Sequence, residues 1–319
     1  MVSYSSILNE PLNITGPIFS IVLLGWFLAR IGWLSSQFVS TASNLIFTLF
    51  LPLLIFNAII NMDVVNDMDW TIVLYSWLLT CICFGVAWLF IRKSNAPNAD
   101  KGVFVQGAFR SNLGIVGIAL CFNSYGNDGA GQAALLLATV TPLFNIFSVI
   151  VLSHYQNDHK TVNINELLKT IIKNPLIISI ALALPLSVIG FQFPKWLASS
   201  VDSISDMTLP LALLCIGGSL NLKALRQSSI LSGWSCLLKL IVFPSLAALG
   251  AILMGFETLT VGIIFLMFAS PTAAASFVMA KAMKGNAVMA ANIIALTTVL
   301  SAFTVSLGLF VLKSLELAL

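Results

Sequence analysis

The sequence predicts an all-α membrane protein of ten transmembrane helices, arranged as two inverted five-helix repeats with the fourth and ninth helices broken and crossed. Three observations predict it: the composition, the distribution of basic residues, and a repeat at half the chain length. Of 319 residues, 59% are hydrophobic and only 8% are charged, against about 25% charged in a soluble domain. Water is therefore a poor solvent for most of this surface, and a bilayer is a good one.

A hydrocarbon core about 30 Å thick takes roughly 20 apolar residues per helix. Ten runs of that length are separated by short polar stretches: Ile14 to Ile31, Thr41 to Ile60, Trp70 to Ile91, Val103 to Asn123, Gly131 to Ser153, Thr170 to Gly190, Ser203 to Asn221, Gly233 to Gly255, Leu259 to Met283 and Ala287 to Lys313. No basic stretch precedes the first run and no small-residue cleavage pattern follows it, so the first span is expected to stay rather than leave as a signal peptide. Cys81, Cys83, Cys121, Cys215 and Cys236 all fall inside spans without metal-site spacing, and a packing role is expected for them.

Charge placement tests the ten-span reading independently, because Lys and Arg collect in cytoplasmic loops. With both termini outside, the inner loops hold Arg30, Arg92, Lys93, Lys101, Lys160, Lys169, Lys173, Lys223, Arg226, Lys281 and Lys284, which is eleven of the fifteen basic residues. The net charge of +3 is then a topology signal and gives no reason to expect a nucleic-acid partner.

The chain also repeats itself. Leu51-Pro52-Leu53 recurs as Leu209-Pro210-Leu211, Ser111 as Ser270, Gly126-Asn127 as Gly285-Asn286, and Thr139-Val140 as Thr298-Val299, each pair 158 or 159 residues apart. Four matches in chain order at one spacing mark a duplication. Five spans per half is an odd number, so the second half enters the membrane from the opposite side, as in alternating-access carriers. The expected units are residues 1–155, a cytoplasmic linker at 156–169, and residues 170–319. His154 and His159 lie at or in the linker with no Cys or carboxylate cluster nearby, and no metal site or cofactor is expected.

Chemistry concentrates in the fourth and ninth spans. Gly107 to Gly117, GAFRSNLGIVG, places a cation, two hydrogen-bonding side chains and three glycines where a continuous apolar helix is due. Ala269-Ser270-Pro271-Thr272 stands at the matching position, and Pro271 has no N–H to give the carbonyl of Met267. Irregular backbone at this depth needs a polar centre around it. Inversion brings the two breaks together, with second half-helices starting near Ile115 and Ala273 turning free N–H groups toward one region, which attracts anions.

Arg110 adds a full positive charge there, and a planar guanidinium suits a carboxylate. It lies nine residues beyond Lys101, about 13 Å along a helix, farther than its side chain snorkels. No acidic residue lies deep in a span to neutralise it, so the substrate is expected to bring the counter-charge. Lys239 sits only about 9 Å inside the eighth span, where snorkelling or a structural hydrogen bond is as good a reading as a substrate role. Pro52 and Pro210 are expected to bend the second and seventh spans as hinge or scaffold positions. Asn145 and Asn292, the latter with Thr297, supply uncharged hydrogen bonds to a substrate or between helices. The run Ala273-Ala274-Ala275-Ser276 is expected to allow close helix approach.

The strings FRSNLGIVGIAL and SPTAAASFVMAKAMKGNAVMAANIIALTTVLS resemble the auxin efflux carrier family, which includes bacterial malate and malonate permeases. The resemblance covers essentially the whole chain. It implies a fold similar to that of bile-acid and sodium/proton carriers, with spans 1, 2, 6 and 7 as scaffold and spans 3–5 and 8–10 as a moving transport core. It also implies elevator-type motion, a homodimer and a bacterial inner membrane. Carried over residue by residue, the crossover places Arg110, Ser111, Asn112 and Gly114 on one side of the substrate and Ser270, Pro271 and Thr272 on the other. The plant carriers have a long hydrophilic loop between their halves where this chain has about twenty residues, so the bacterial carboxylate permeases are the nearer comparison.

The expected function is secondary transport of a small mono- or dicarboxylate such as malate or malonate, with an aromatic carboxylate as the other substrate class. A proton or sodium ion is the candidate coupling ion. A sodium/proton antiporter and a passive anion channel are the alternatives on the same fold. An enzyme is not expected: G-x-S-x-G, H-E-x-x-H and paired embedded aspartates are all absent from the sequence.

Overall fold

The computed structural model describes residues 4–61, 70–155, 173, 175–220, 229–315 and 317. Every regular element among them is helical: α1 (Tyr4–Arg30), α2 (Ser36–Ile60), α3 (Trp70–Arg92), α4 (Asn98–Phe109), α5 (Leu113–Tyr155), α6 (Pro175–Val188), α7 (Lys195–Ser219), α8 (Ile230–Leu253), α9 (Thr258–Ala269), α10 (Ala275–Ala282) and α11 (Ala287–Ser314). Among the described residues seven helices, α1, α2, α3, α5, α7, α8 and α11, are long and apolar enough to cross a bilayer. α6 and α9 are shorter and equally apolar. The inter-repeat linker, with His159, lies outside the described residues.

Several helices begin earlier than their apolar runs. α1 starts at Tyr4 rather than Ile14 and carries Pro11 and Pro17 inside it. α7 starts at Lys195 rather than Ser203, so Asp202 and Asp206 lie within the helix, both exposed. Hydropathy marks where lipid contact begins, whereas a helix extends past that point until a cap stops it. Ser35 is such a cap, accepting from the Phe38 N–H ahead of α2.

α5 is two helical limbs meeting at Gly126, whose φ of 63° and ψ of −146° are open only to glycine at small cost. Near Pro52 and Pro244 the helices widen. The Leu51 N–H bonds the Ile46 carbonyl, and the Phe243 N–H bonds the Leu238 carbonyl, each five residues back. A π turn just before proline relieves the clash of its ring with the preceding turn. Pro210 lies inside α7.

Large apolar side chains such as Leu74, Leu89 and Phe303 point outward, as lipid-facing residues do. α4 and α9 are the opposite: residues 102–109 and 260–269 are buried without interruption. A short helix apolar all round belongs in a core, and these two end there. Around them α1 runs along α7, and α2 packs on α6 and α7. The α1–α7 seam is a backbone contact: a methyl group on Gly25 would strike the Leu214 carbonyl, and one on Gly217 the Val22 carbonyl. Small residues allow this approach in membranes. The other long helices wrap α4 and α9, with α4 against α3, α5 and α11, and α9 against α5 and α8.

Candidate functional site

α4 ends at Phe109 and helix resumes at Leu113; α9 ends at Ala269 and resumes at Ala275. Between them Ser111 and Thr272 face each other as an isolated antiparallel bridge. Its two backbone bonds run from the Asn112 N–H to the Pro271 carbonyl (2.7 Å) and from the Ala273 N–H to the Arg110 carbonyl (3.2 Å). The Thr272 N–H goes to Thr297 Oγ1 on α11 at 3.1 Å. Of the N–H groups at the expected half-helix starts, that of Ala273 is therefore spent on the crossing itself. The expected starts near Ile115 and Ala273 shift to Leu113 and Ala275 for the same reason, since residues 110–112 and 270–273 hold each other extended.

Several carbonyls of α4 and α9 near the breaks also have partners, as buried backbone demands. Gly107 accepts from Thr272 Oγ1 at 2.7 Å. Met267, deprived by Pro271, accepts from Ser270 Oγ at 2.8 Å. Phe104 accepts from Ser235 Oγ at 3.0 Å. Phe268 accepts from Lys239 Nζ at 2.8 Å, and the same ammonium donates to Ser111 Oγ. The hydroxyls of Ser270 and Thr272 thus carry the crossing's own bonds.

Arg110 is 6% exposed. Its Nη1 donates to Ser148 Oγ at 3.1 Å and meets Met279 Sδ at 2.7 Å, while Nη2 donates to Asn145 Oδ1 at 2.8 Å. A guanidinium has five N–H groups. Nε and one Nη2 hydrogen find no acceptor among the described residues, and no described carboxylate pairs with Arg110.

Lys239 makes the structural hydrogen bonds that were one of its readings, to Ser111 and Phe268. It is 1% exposed, too deep to snorkel, and its widened π turn in α8 (Leu238–Val242) carries the ammonium to the crossing. In sequence Arg110 stands at the first break and the uncharged Ala269 at the second, but in space Lys239 stands beside the second break. Depth along the sequence could not reveal this, because the stem of Lys239 reaches inward rather than outward.

Of the other sequence-selected residues, Asn145 is drawn to Arg110. Asn112 and Gly114 are half-buried at the crossing, and a methyl group at Gly114 would meet Leu137 and Leu176 at ordinary contact distances. Asn292 is buried on α11 beside Ile293, whose side chain abuts Gly107. Pro52 and Pro210 lie in α2 and α7, outside the crossing. Sequence reasoning missed Ser148, Gln106 and Met279. Ser148 stands three residues after Asn145, on the same helix face, and that spacing was the available signal.

A crossing of two broken helices with buried cations suits carriage of an anion through a bilayer. The membrane transport protein family matches residues 15–309. The chain belongs to this family. It is the auxin efflux carrier family that the two strings resemble, and the chain is a multi-pass membrane transporter. The transporter is 23% identical over 301 residues, covering 92% of this chain and 96% of the relative, to an uncharacterized transporter of Methanothermobacter thermautotrophicus. It is 21% identical over 307 residues, covering 93% and 97%, to an uncharacterized transporter of Methanocaldococcus jannaschii. It is 25% identical over 325 residues, covering 95% and 97%, to a Rhizobium meliloti protein provisionally named a malonate transporter.

Proposed function

We propose that this protein is a secondary transporter of a small mono- or dicarboxylate, malonate or malate being the first candidates, working by elevator-type alternating access in a bacterial inner membrane. The single observation that carries the reading is Arg110: a buried guanidinium with open donors and no carboxylate partner among the described residues. Lys239 adds a second buried basic group with no described carboxylate beside it. Burying uncompensated charge is costly, and an anionic substrate that arrives with its own charge relieves that cost. The name of the Rhizobium meliloti relative points to the same substrate class.

In this reading α4 with the first limb of α5 makes one broken crossing, and α9 with α10 makes another. With α6 they complete ten spans in two inverted repeats, both termini outside. The repeated motifs support it. Pro52 and Pro210 both lie within helices of the α1, α2, α6, α7 group, the proposed scaffold. Gly126-Asn127 and Gly285-Asn286 both precede a helical limb. Thr139 and Thr298 both return their hydroxyls to the carbonyl four residues back, at 3.0 and 2.7 Å. In the proposed mechanism the substrate sits against Arg110, Asn145 and Asn112, and the core of spans 3–5 and 8–10 carries it past a scaffold held in a homodimer.

The test is counterflow. Purified protein in liposomes loaded with unlabelled malonate or malate takes up the labelled anion transiently above equilibrium and saturably. Uptake that neither saturates nor shows counterflow indicates an anion channel. Proton-coupled sodium flux with no organic anion indicates an antiporter, although no described carboxylate reaches the crossing to titrate for it.

A further inference from the structure

Two buried N–H donors, one on α4 and one just past its end, converge on one sulfur atom. Gln106 and Arg110 are one turn apart on the same face. Gln106 is 0% exposed, and its Nε2 lies 3.6 Å from Met279 Sδ, the atom that Arg110 Nη1 meets at 2.7 Å. A thioether is a weak acceptor, whereas a guanidinium makes its strong hydrogen bonds to carboxylate oxygens. The other side-chain atom of the amide, Gln106 Oε1, is buried with no hydrogen-bond partner among the described residues, so the fold does not fix how that amide is used. A buried amide and a buried guanidinium therefore aim at a position filled by the poorest acceptor available.

Met279 is also placed to move. It lies on α10, the eight-residue second limb of the broken pair. Its neighbours Phe277 and Val278 are exposed, Ala280 is buried, and Met279 is half-buried between them. Its side chain thus spans the distance from an accessible face to the guanidinium. An unbranched side chain with three rotatable bonds changes rotamer readily.

We propose that Met279 is a plug over a carboxylate subsite made by Gln106 and Arg110. The substrate's carboxylate displaces the sulfur, taking one oxygen to Arg110 Nη1 and the other to Gln106 Nε2, while Met279 swings toward the exposed face of α10. The proposal rests on the transport reading and adds to it one ligand, Gln106, and one gating residue.

The experiment follows the plug directly. Protein labelled with 13C at the methionine methyl groups is titrated with sodium malonate and sodium malate, and the Met279 resonance is identified by its loss in Met279→Leu. That resonance shifts with saturation at the concentration range that drives uptake. In liposomes Met279→Ala lowers the KM about threefold or more, because no plug has to be moved, and Gln106→Leu raises it about tenfold by removing a hydrogen bond to a charged group. Met279→Leu replaces the alanine variant if that variant does not fold; it loses the sulfur that accepts from Arg110 and Gln106, so the anion breaks no such contact on entry and the KM is again lowered. A Met279 methyl unmoved at saturating anion overturns the plug, as do KM values within twofold of wild type in both the Met279 and Gln106 variants. Wild-type protein that carries neither anion overturns the transport reading and the plug together; wild-type uptake with unmoved variants overturns the plug alone.

Discussion

The two breaks meet as partners and are built differently. At the first, Arg110 turns its side chain away from the backbone bridge toward Asn145 and Ser148 on α5, and its donors are not all used. At the second, Ser270 and Thr272 spend their hydroxyls on the Met267 and Gly107 carbonyls, and the Phe268 carbonyl takes Lys239 from a different helix. One break keeps hydrogen-bonding capacity in reserve, and the other uses its capacity to hold the crossing together. Two breaks that meet at one crossing can thus differ in kind, one with donors to spare and one with its hydroxyls already used.

The sharpest way to break this comparison is Arg110→Ala. Anion uptake is expected to fall by roughly a hundredfold or more, the scale of losing one partner of a buried charge contact, while thermal unfolding of the purified protein shows a folded molecule. Unchanged uptake removes Arg110 from the substrate path. Lys239→Met is next. It deletes the second cation, which faces the crossing without being placed against the anion, and the KM is expected to rise about tenfold through the lost positive potential, read from the concentration dependence of uptake.

Thr272→Val sharpens the contrast by acting on the second break. It leaves the Gly107 carbonyl without its donor and costs about 1–3 kcal/mol of stability, seen as a lower unfolding temperature, with uptake per folded molecule within threefold of wild type. Loss of uptake at unchanged stability would make the Thr272 hydroxyl a substrate ligand instead. Away from the crossing the effects fall on stability alone, and the smallest is at Gly233. Gly217→Ala, at the α1–α7 backbone contact, costs about 1–3 kcal/mol by overpacking, whereas Gly233→Ala, with open space around it, gains about 0.5–1 kcal/mol of helix stability.

Much of this arrangement is legible in the sequence, for reasons that separate residue by residue. The all-helical membrane class follows from composition, and the break near Arg110 follows from a polar cluster flanked by glycines where helix was due. Pro271 signalled its break directly, since a missing N–H is a local fact. Lys239 was not legible in this way, because its role depends on a π turn before Pro244 and on which carbonyl its stem reaches. Met279 and Gln106 were invisible for the same reason: a methionine and a glutamine in apolar runs read as packing until another helix is laid against them. Nor could spacing show that the Asn112 and Ala273 N–H groups bond across the crossing, since each depends on the other break being there.

The central claim is that Arg110 binds the transported anion. Isothermal titration of purified wild-type protein and Arg110→Ala with sodium malonate and sodium malate tests it without the complications of flux. The account predicts saturable one-site binding of at least one of these anions to wild type and no measurable heat of binding to the variant. Equal affinity for that anion in both proteins would contradict it.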